Sequence, residues 1–188
     1  MAGTRASSGA AWTVAAAVPD PELPMLTLAD LGVLAEVTED GGTVTAWLTP
    51  TYSGCPAVAE MAADVDRRLR AAGFAEVRVR LRLDPPWSTD LITPEGRRKL
   101  AEAGIAPPRP GAGAGTGGGS TPLSLGPTRL VDAAAAGRAA VAGAPAPVTC
   151  PLCGGTDTEE LSRFGSTACK ALWRCRDCRE PFERVKEI

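Results

Sequence analysis

Two cysteine pairs near the C-terminal end have the spacing of a metal site. Cys150 and Cys153 form one Cys-x-x-Cys pair, Cys175 and Cys178 form another, and 21 residues separate the pairs. Each pair places two thiolates on one tight turn, and two such turns supply four ligands to one tetrahedral ion. Because four thiolates leave no position for water, the pattern predicts a closed structural zinc site. Iron accepts the same ligands, and the sequence leaves that choice open.

The cysteine count also permits a different chemistry. The chain has six cysteines, an even number, so a disulfide framework is the competing interpretation. The paired spacing and the lack of a recognisable signal peptide favour metal binding in a reducing cytoplasm. The apolar stretch at residues 10–18 is shorter than the roughly 20 residues of a membrane helix and predicts a first helix instead.

Cys55 is a third thiol in an informative position. The pattern predicts that a strand ends near residue 49, that a turn follows, and that a helix opens at Pro56. A cysteine at a helix N-terminus meets unpaired amides and the helix dipole, which favour the thiolate. Cys55 is therefore a candidate nucleophile or soft-metal ligand. The alternative is a cysteine that fills the cap position and has no chemistry.

Three further side chains are candidates for the same chemistry. Asp20 and Glu22 lie in the sequence Asp-Pro-Glu-Leu-Pro, whose prolines hold it away from helix. The two carboxylates could help to hold iron beside Cys55, although the spacing alone favours an exposed loop with helix-capping acids. Cys169 could act as an auxiliary thiol for a cluster or for metal exchange, but such a residue is more often a small buried hydrophobe.

Composition excludes several classes of function. The chain has no histidine, which rules out Cys2His2 zinc sites, Ser-His-Asp and Cys-His catalysis, and Glu-x-x-His di-iron sites. A thiol enzyme built on Cys55 would lack a histidine base. Residues 150–188 carry seven basic and seven acidic side chains, and four thiolates on a divalent ion add negative charge. Nucleic-acid binding is disfavoured, since a phosphate-binding surface is positive.

The elements that must position these residues suggest a small α+β domain at residues 1–106. Strands are predicted at 33–37 and 44–49, a helix at 56–72, a strand through 77–83 and a short helix from Thr93. Residues 77–83 alternate apolar and arginine side chains, so we expect that strand to have one buried and one solvated face. The order predicts a three-stranded sheet with helices on one face.

The rest of the chain divides into a linker and a ribbon. Residues 107–147 hold 11 Ala, 9 Gly and 7 Pro but only four charged side chains, which predicts a flexible linker. Residues 148–188 form the predicted four-Cys ribbon. A unit of about 40 residues rarely folds without a staple. Bound zinc supplies one, with apparent binding free energies on the order of 10–16 kcal/mol.

Several motifs resemble known families. Residues 20–32, Asp-Pro-Glu-Leu-Pro-Met-Leu-Thr-Leu-Ala-Asp-Leu-Gly, resemble the opening of the metal–sulfur cluster assembly domain family, to which SufT-type proteins belong, and residues 51–56, Thr-Tyr-Ser-Gly-Cys-Pro, resemble its cysteine motif. Residues 87–90, 104–108 and 164–172 resemble the PaaD family, also called PaaJ. Its members are encoded with the phenylacetyl-CoA epoxidase of aerobic phenylacetate breakdown. The resemblance spans 18–108 and 148–188.

The resemblance implies an accessory role. It implies a maturation subunit that assists iron or iron–sulfur centre assembly in the oxygenase or reductase, and whether the chain is itself an enzyme stays open, with a non-catalytic role favoured. Cys55 would be the transfer ligand, Asp20 and Glu22 would shape its site together with Thr51, and the ribbon would dock the client. Zinc in the ribbon and a transient iron ion or cluster are the implied metals. A scaffold subunit and a general iron–sulfur assembly factor are the alternatives, and neither nucleic acid nor membrane is an expected partner.

Overall fold

The computed structural model describes residues 9–52, 54–111 and 148–187. Most of the predicted linker, 112–147, lies outside the described residues. The first part of the chain contains helices α1 (Ala10–Ala16), α2 (Val58–Ala71) and α3 (Pro94–Glu102), and strands β1 (Leu34–Asp40), β2 (Thr43–Leu48), β3 (Glu76–Leu81) and β4 (Ile105–Ala106). The C-terminal part contains β5 (Thr158–Ser162), β6 (Lys170–Cys175) and β7 (Pro181–Val185). Within these ranges no helix has the length and apolarity needed to cross a bilayer.

The first sheet has the predicted three strands. Its order is β1-β2-β3, with β1 and β2 antiparallel and β2 and β3 parallel. Gly41 and Gly42 form the hairpin turn, and both have positive φ, at 53° and 84°, a conformation that costs glycine little. The parallel pair is joined through α2, as a crossover connection requires. The α+β class and the three-stranded sheet are therefore confirmed.

Two helices close the core of this domain. Met61, Val65 and Leu69 lie on one face of α2 and are buried where the helix packs against β3. The helix α1 contacts α2 and β1 through small side chains, since Ala11 and Ala15 are fully buried. Small residues allow helices to approach closely, so this short helix adds to the core although it has only seven residues.

The prediction of a continuous buried face on β3 was wrong at its far end. Val77 is buried, but Leu81 is 49% exposed and Leu83 is 60% exposed. The strand lies at the edge of the sheet, with β2 as its sole strand neighbour in the described sheet, and Leu83 follows the last paired residue. Side chains there lack the neighbours on both sides that bury the central strand.

The second sheet joins the two parts of the molecule. Its order is β4-β7-β6-β5, and β4 comes from the α+β domain and pairs with β7 in parallel, Ile105 opposite Glu183. Ile105 and Val185 both belong to the larger hydrophobic core, whereas Ala106 packs in the core of the ribbon. The ribbon is therefore seated on the α+β domain, through one shared sheet and one shared core.

An ion-pair group lies beside this junction. Arg109, in the segment that composition assigns to the linker, donates two hydrogen bonds to the Glu187 carboxylate, at 2.8 and 3.0 Å. Arg184 donates to the same carboxylate. The hydrogen bonds from Arg109, together with the charges of both guanidinium groups, lower the pKa of Glu187 to about 2. Residues 107–111 thus continue the described structure toward the end of the ribbon.

Candidate metal centres

The four cysteines of the two pairs come together in the ribbon. Their Sγ atoms all lie within 4.8 Å of one another, with Cys150 and Cys178 at 3.8 Å and Cys153 and Cys175 at 3.6 Å. A tetrahedral zinc ion with bonds of about 2.3 Å to sulfur requires sulfur atoms about 3.8 Å apart. The arrangement therefore has the size of a four-thiolate zinc site.

Two similar turns build this cluster. Gly154 follows Cys153 with φ at 78°, and Arg179 follows Cys178 with φ at 65°. These left-handed residues turn the chain so that each pair points its sulfur atoms inward, and Cys150 closes its turn by donating its amide to the Gly155 carbonyl at 2.8 Å. Turn geometry of this kind is local, which explains why the spacing alone revealed it.

The electrostatics of the cluster favour a cation. Backbone amides of Cys178 and Asp177 lower the pKa of Cys175. Although the Gly155 amide also favours the thiolate of Cys153, the neighbouring thiols Cys178 and Cys175 raise the pKa of Cys153 to about 12. Four crowded sulfur atoms resist joint ionisation, and a divalent ion offsets that repulsion as it displaces the protons.

Cys55 lies before a helix rather than at its first turn. The helix α2 begins at Val58 with Ala57 as its cap, and the Cys55 amide donates to the Tyr52 carbonyl at 3.2 Å in a preceding turn. Burial raises the pKa of the Cys55 thiol, the Ala57 amide lowers it, and the charges of Glu22, Asp20 and Cys169 raise it further. The prediction that the helix terminus favours a thiolate was wrong, because burial and nearby acids outweigh the amide.

Asp20 holds the acidic corner together. It is 4% exposed, and its Oδ1 accepts hydrogen bonds from the amides of Glu22 at 2.9 Å and Leu23 at 2.7 Å. Burial raises the pKa of Asp20 even though these amides lower it. The expectation of an exposed loop was wrong for Asp20, while Glu22 and Thr51 are half-buried. Ser53, also in the cysteine motif, lies outside the described residues.

Cys169 brings a ribbon thiol to the same region. It is half-buried, its Sγ lies 3.1 Å from the Thr167 hydroxyl, and its carbonyl accepts the amide of Lys186 at 2.9 Å. Burial raises the pKa of Cys169, and the charge of Glu22 on the α+β domain raises it as well. Cys55, Cys169, Glu22 and Asp20 therefore share one electrostatic environment, which we call the junction site.

Two residues of this environment escaped the sequence analysis. Burial raises the pKa of the Tyr52 phenol, and the charges of Cys55, Glu22 and Cys169 raise it further. Lys170 is 4% exposed, pairs with Glu183 at 2.7 Å, and its charge lowers the pKa of Asp20. Tyr52 stands within the cysteine motif, but no sequence signal marks a lysine that only tertiary packing buries.

In comparisons with known proteins, the α+β domain and the ribbon each match a family model. Residues 11–83 match the family model described as "Iron-sulfur cluster assembly protein", and residues 134–186 match the one described as "PaaD zinc beta ribbon domain". The fold and its cysteine cluster thus define a protein that combines a cluster-assembly domain with a zinc ribbon.

A similar protein from Escherichia coli identifies the family to which this chain belongs. Over 177 residues the chain is 40% identical to an Escherichia coli K12 protein whose name describes it as a subunit of a "Putative 1,2-phenylacetyl-CoA epoxidase", and the match covers 94% of this chain and 91% of the relative. The chain belongs to the PaaD family.

Two solved structures also resemble about half of this chain. A domain of unknown function, DUF59, from Bacillus anthracis is 28% identical, with a TM-score of 0.45, covering 48% of this chain and 87% of its own. A conserved hypothetical protein from Thermotoga maritima is 26% identical, with a TM-score of 0.43, covering 52% of this chain and 97% of its own.

Proposed function

We propose that this chain is a non-catalytic accessory subunit of a phenylacetyl-CoA epoxidase, and that it assists assembly of an iron or iron–sulfur centre in the oxygenase or the reductase. The name of the relative and the two family models support the epoxidase context. The observation that carries the proposal is the electrostatic environment of Cys55, whose thiol is half-buried and acted on by the charges of Glu22 and Asp20, on the domain that matches the assembly family.

The side chains around Cys55 suit temporary binding of iron. At rest the thiol is neutral, because burial raises its pKa. An arriving iron ion displaces the proton and binds the sulfur, and the proton goes to solvent. Asp20 keeps the corner in shape through its two amide contacts, and the half-buried Glu22 offers a carboxylate oxygen. Thr51, three residues beyond the end of β2, completes the candidate site. A half-buried thiol remains reachable by a client protein.

The ribbon supplies a resident zinc ion and a surface for the client. Its exposed apolar side chains are Phe164 at 80%, Leu152 at 54% and Leu161 at 50%. Exposed apolar residues on a charge-balanced surface suit contact with protein better than contact with nucleic acid. We therefore propose that the ribbon docks the oxygenase or reductase, in a cytoplasm reducing enough to keep all six cysteines out of disulfides.

The same exposed surface also favours a second candidate, a scaffold subunit in which Cys55 is inert. A scaffold remains in the complex at fixed stoichiometry, whereas an assembly factor leaves after transfer. Purification of the epoxidase from cells that express all its subunits, followed by native mass spectrometry, separates these functions. A stable complex that includes this chain favours the scaffold.

The test of the assembly function is the iron content of the client. The epoxidase subunits are co-expressed with the wild-type chain, with Cys55→Ser, or with Ala59→Ser. Ala59 is an exposed residue on the first turn of α2 and serves as the matched control. We expect Cys55→Ser to lower iron per oxygenase or reductase several-fold, with activity falling in proportion, and Ala59→Ser to have no effect.

Two outcomes would revise this proposal. Full iron loading with Cys55→Ser would contradict it. Iron loss that extends to unrelated iron–sulfur proteins of the same cells would point to a general assembly factor rather than one dedicated to the epoxidase.

A further inference from the structure

Two thiols remain once four cysteines are assigned to the ribbon cluster. They are Cys55, on the α+β domain, and Cys169, on the ribbon. Both are half-buried, and neither forms a disulfide. The chain therefore retains one thiol outside the ribbon cluster on each side of the junction between its two parts.

The fold brings both thiols to that junction. Cys55 packs against the large hydrophobic core, and that core includes Val185 of β7. The next residue along the chain, Lys186, donates its amide to the carbonyl of Cys169 at 2.9 Å. The pairing of β4 with β7 and the contact of Arg109 with Glu187 hold this edge of the ribbon on the domain. Cys169 is thus fixed relative to Cys55 by the same packing that seats the ribbon.

The described residues whose charges act on the two thiols are mostly acidic. The charge of Glu22 acts on both Cys55 and Cys169, and Cys169 acts on Cys55. The charges of Glu22, Cys55 and Cys169 also raise the pKa of Tyr52. Lys170 is the cation that acts on Cys169, but Glu183 already accepts its ammonium group at 2.7 Å. The two thiols and Glu22 repel one another when all are ionised, and Lys170 is already paired with Glu183. A metal cation would offset that repulsion.

We propose that Cys55 and Cys169 jointly bind the transferred iron as a two-thiolate site across the junction, with the Glu22 carboxylate as a third ligand. This inference rests on the proposed assembly function and names the ligands of its cargo. On binding Fe²⁺, each thiol loses one proton to solvent and forms one sulfur–iron bond, so two protons leave per ion and no electron is transferred.

An incomplete ligand set suits transfer. In the described part of the chain, the ribbon sulfurs are the one group of three or more ligand atoms within 4.8 Å of one another, so the junction ligands are more widely spaced and must draw together around an ion. Three protein ligands leave a coordination position open for a client residue. Because one ligand lies on the ribbon, displacement of the ribbon by the client would remove a thiolate and release the ion.

The test uses the full-length, zinc-loaded protein under anaerobic conditions, with Co²⁺ as the spectroscopic substitute for Fe²⁺. Zinc binds such sites more tightly than cobalt, so the ribbon keeps its zinc during the titration. We measure the thiolate-to-cobalt charge-transfer absorption, the protons released, and the zinc content. For the wild type we expect one cobalt per chain with two protons released.

The variants are Cys55→Ser, Cys169→Ser and Ala168→Ser. Each cysteine variant should lose at least half of the charge-transfer absorption and release one proton fewer per ion bound. Ala168 is exposed and adjacent to Cys169, so Ala168→Ser controls for a hydroxyl placed in that loop and should behave as the wild type. Zinc content should stay constant in all four proteins, which shows that the ribbon is folded.

Wild-type cobalt absorption that Cys55→Ser abolishes and Cys169→Ser leaves unchanged would overturn the inference but leave the proposed function in place. Absence of thiolate absorption in the wild type would overturn the inference. Conversely, absorption that needs both thiols, with full iron loading of the epoxidase by Cys55→Ser, would support this site and contradict the assembly function.

A second measurement tests the geometry without any variant. A short bifunctional thiol reagent is added to the zinc-loaded wild type, where Cys55 and Cys169 are the thiols left free. We expect a cross-linked peptide pair that contains both residues. Labelling of the two cysteines separately, with no link between them, would overturn the inference.

Discussion

The molecule contains two groups of cysteines that differ in how complete they are. The ribbon cluster brings four sulfur atoms within 4.8 Å of one another. At the junction site, in the described part of the chain, no group of three or more ligand atoms comes that close, although the charge of Glu22 acts on both Cys55 and Cys169. A closed set of four thiolates holds an ion permanently, and an open set allows it to leave. On the functions proposed above, one chain would separate a metal that supports the fold from a metal that is carried.

The two sites also relate to stability in opposite ways. The ribbon has a small core of its own, built around side chains such as Trp173 and Phe182, so we expect its stability to depend on the metal. The junction site instead buries the Asp20 carboxylate, and burial raises the pKa of Asp20, which disfavours its charged form in the folded protein. Groups kept in an unfavourable environment are typical of functional sites.

The largest expected effect concerns the closed site. Cys175 is fully buried, so Cys175→Ser removes one of four ligands and leaves a hydroxyl in its place. We expect zinc to fall from one per chain to near zero and the ribbon to unfold, since structural zinc contributes on the order of 10 kcal/mol. Metal analysis and limited proteolysis measure this. Zinc that persists in Cys175→Ser would mean that the ribbon does not need all four thiolates, and would contradict the description of it as a closed site.

A smaller effect is expected at the junction itself. Glu187→Gln removes the carboxylate that Arg109 and Arg184 share and should destabilise the protein by about 1–3 kcal/mol at pH 7. The pKa of Glu187 is lowered from 4.5 to about 2, so its contribution is complete above the unfolded value and is lost as pH falls toward the folded one. Thermal unfolding of both proteins should therefore differ constantly from pH 8 to pH 6 and converge in acid.

A matched variant controls this measurement. Glu102 forms an exposed pair with Arg98 on α3, and Glu102→Gln should change stability little, because exposed pairs contribute at most about 1 kcal/mol. Equal destabilisation by the two variants would mean that the contact of Arg109 with Glu187 does not fix the ribbon on the domain.

The smallest expected effect on stability concerns Asp20 at the junction site, where one variant removes only the charge and another also removes the hydrogen-bonding oxygen. Asp20→Asn keeps an oxygen for the amides of Glu22 and Leu23 and avoids the cost of a buried charge, so its stability should stay within about 1 kcal/mol of the wild type. Asp20→Ala leaves both amides unpaired and should lose about 1–3 kcal/mol. Chemical denaturation measures both. Equal losses in the two variants would mean that the Asp20 charge, rather than its oxygen, supports the corner.

The sequence predicted the elements whose signals are local. The apolar spacing of α2 at Met61, Val65 and Leu69 and the two glycines of the hairpin each carry their own geometric requirement. The same holds for the ribbon, since each Cys-x-x-Cys turn is formed within a few residues. Prediction from the sequence failed where the burial of a side chain depended on neighbours distant in the chain, as with the exposed Leu81 and the buried Asp20.

The sequence by itself determined the cysteine pairs and the α+β class, because spacing and periodicity constrain the backbone locally. The motif around Cys55 was marked by its resemblance to a known family. Only the tertiary structure decided that the charge of Cys169 acts on Cys55, that Lys170 is buried, and that the pKa of Cys55 is raised rather than lowered. The physical reason is that burial and the charges of Glu22 and Asp20 act through space, and that the pairing of β4 with β7 seats the ribbon, with Cys169 and Lys170, on the domain that carries those acids.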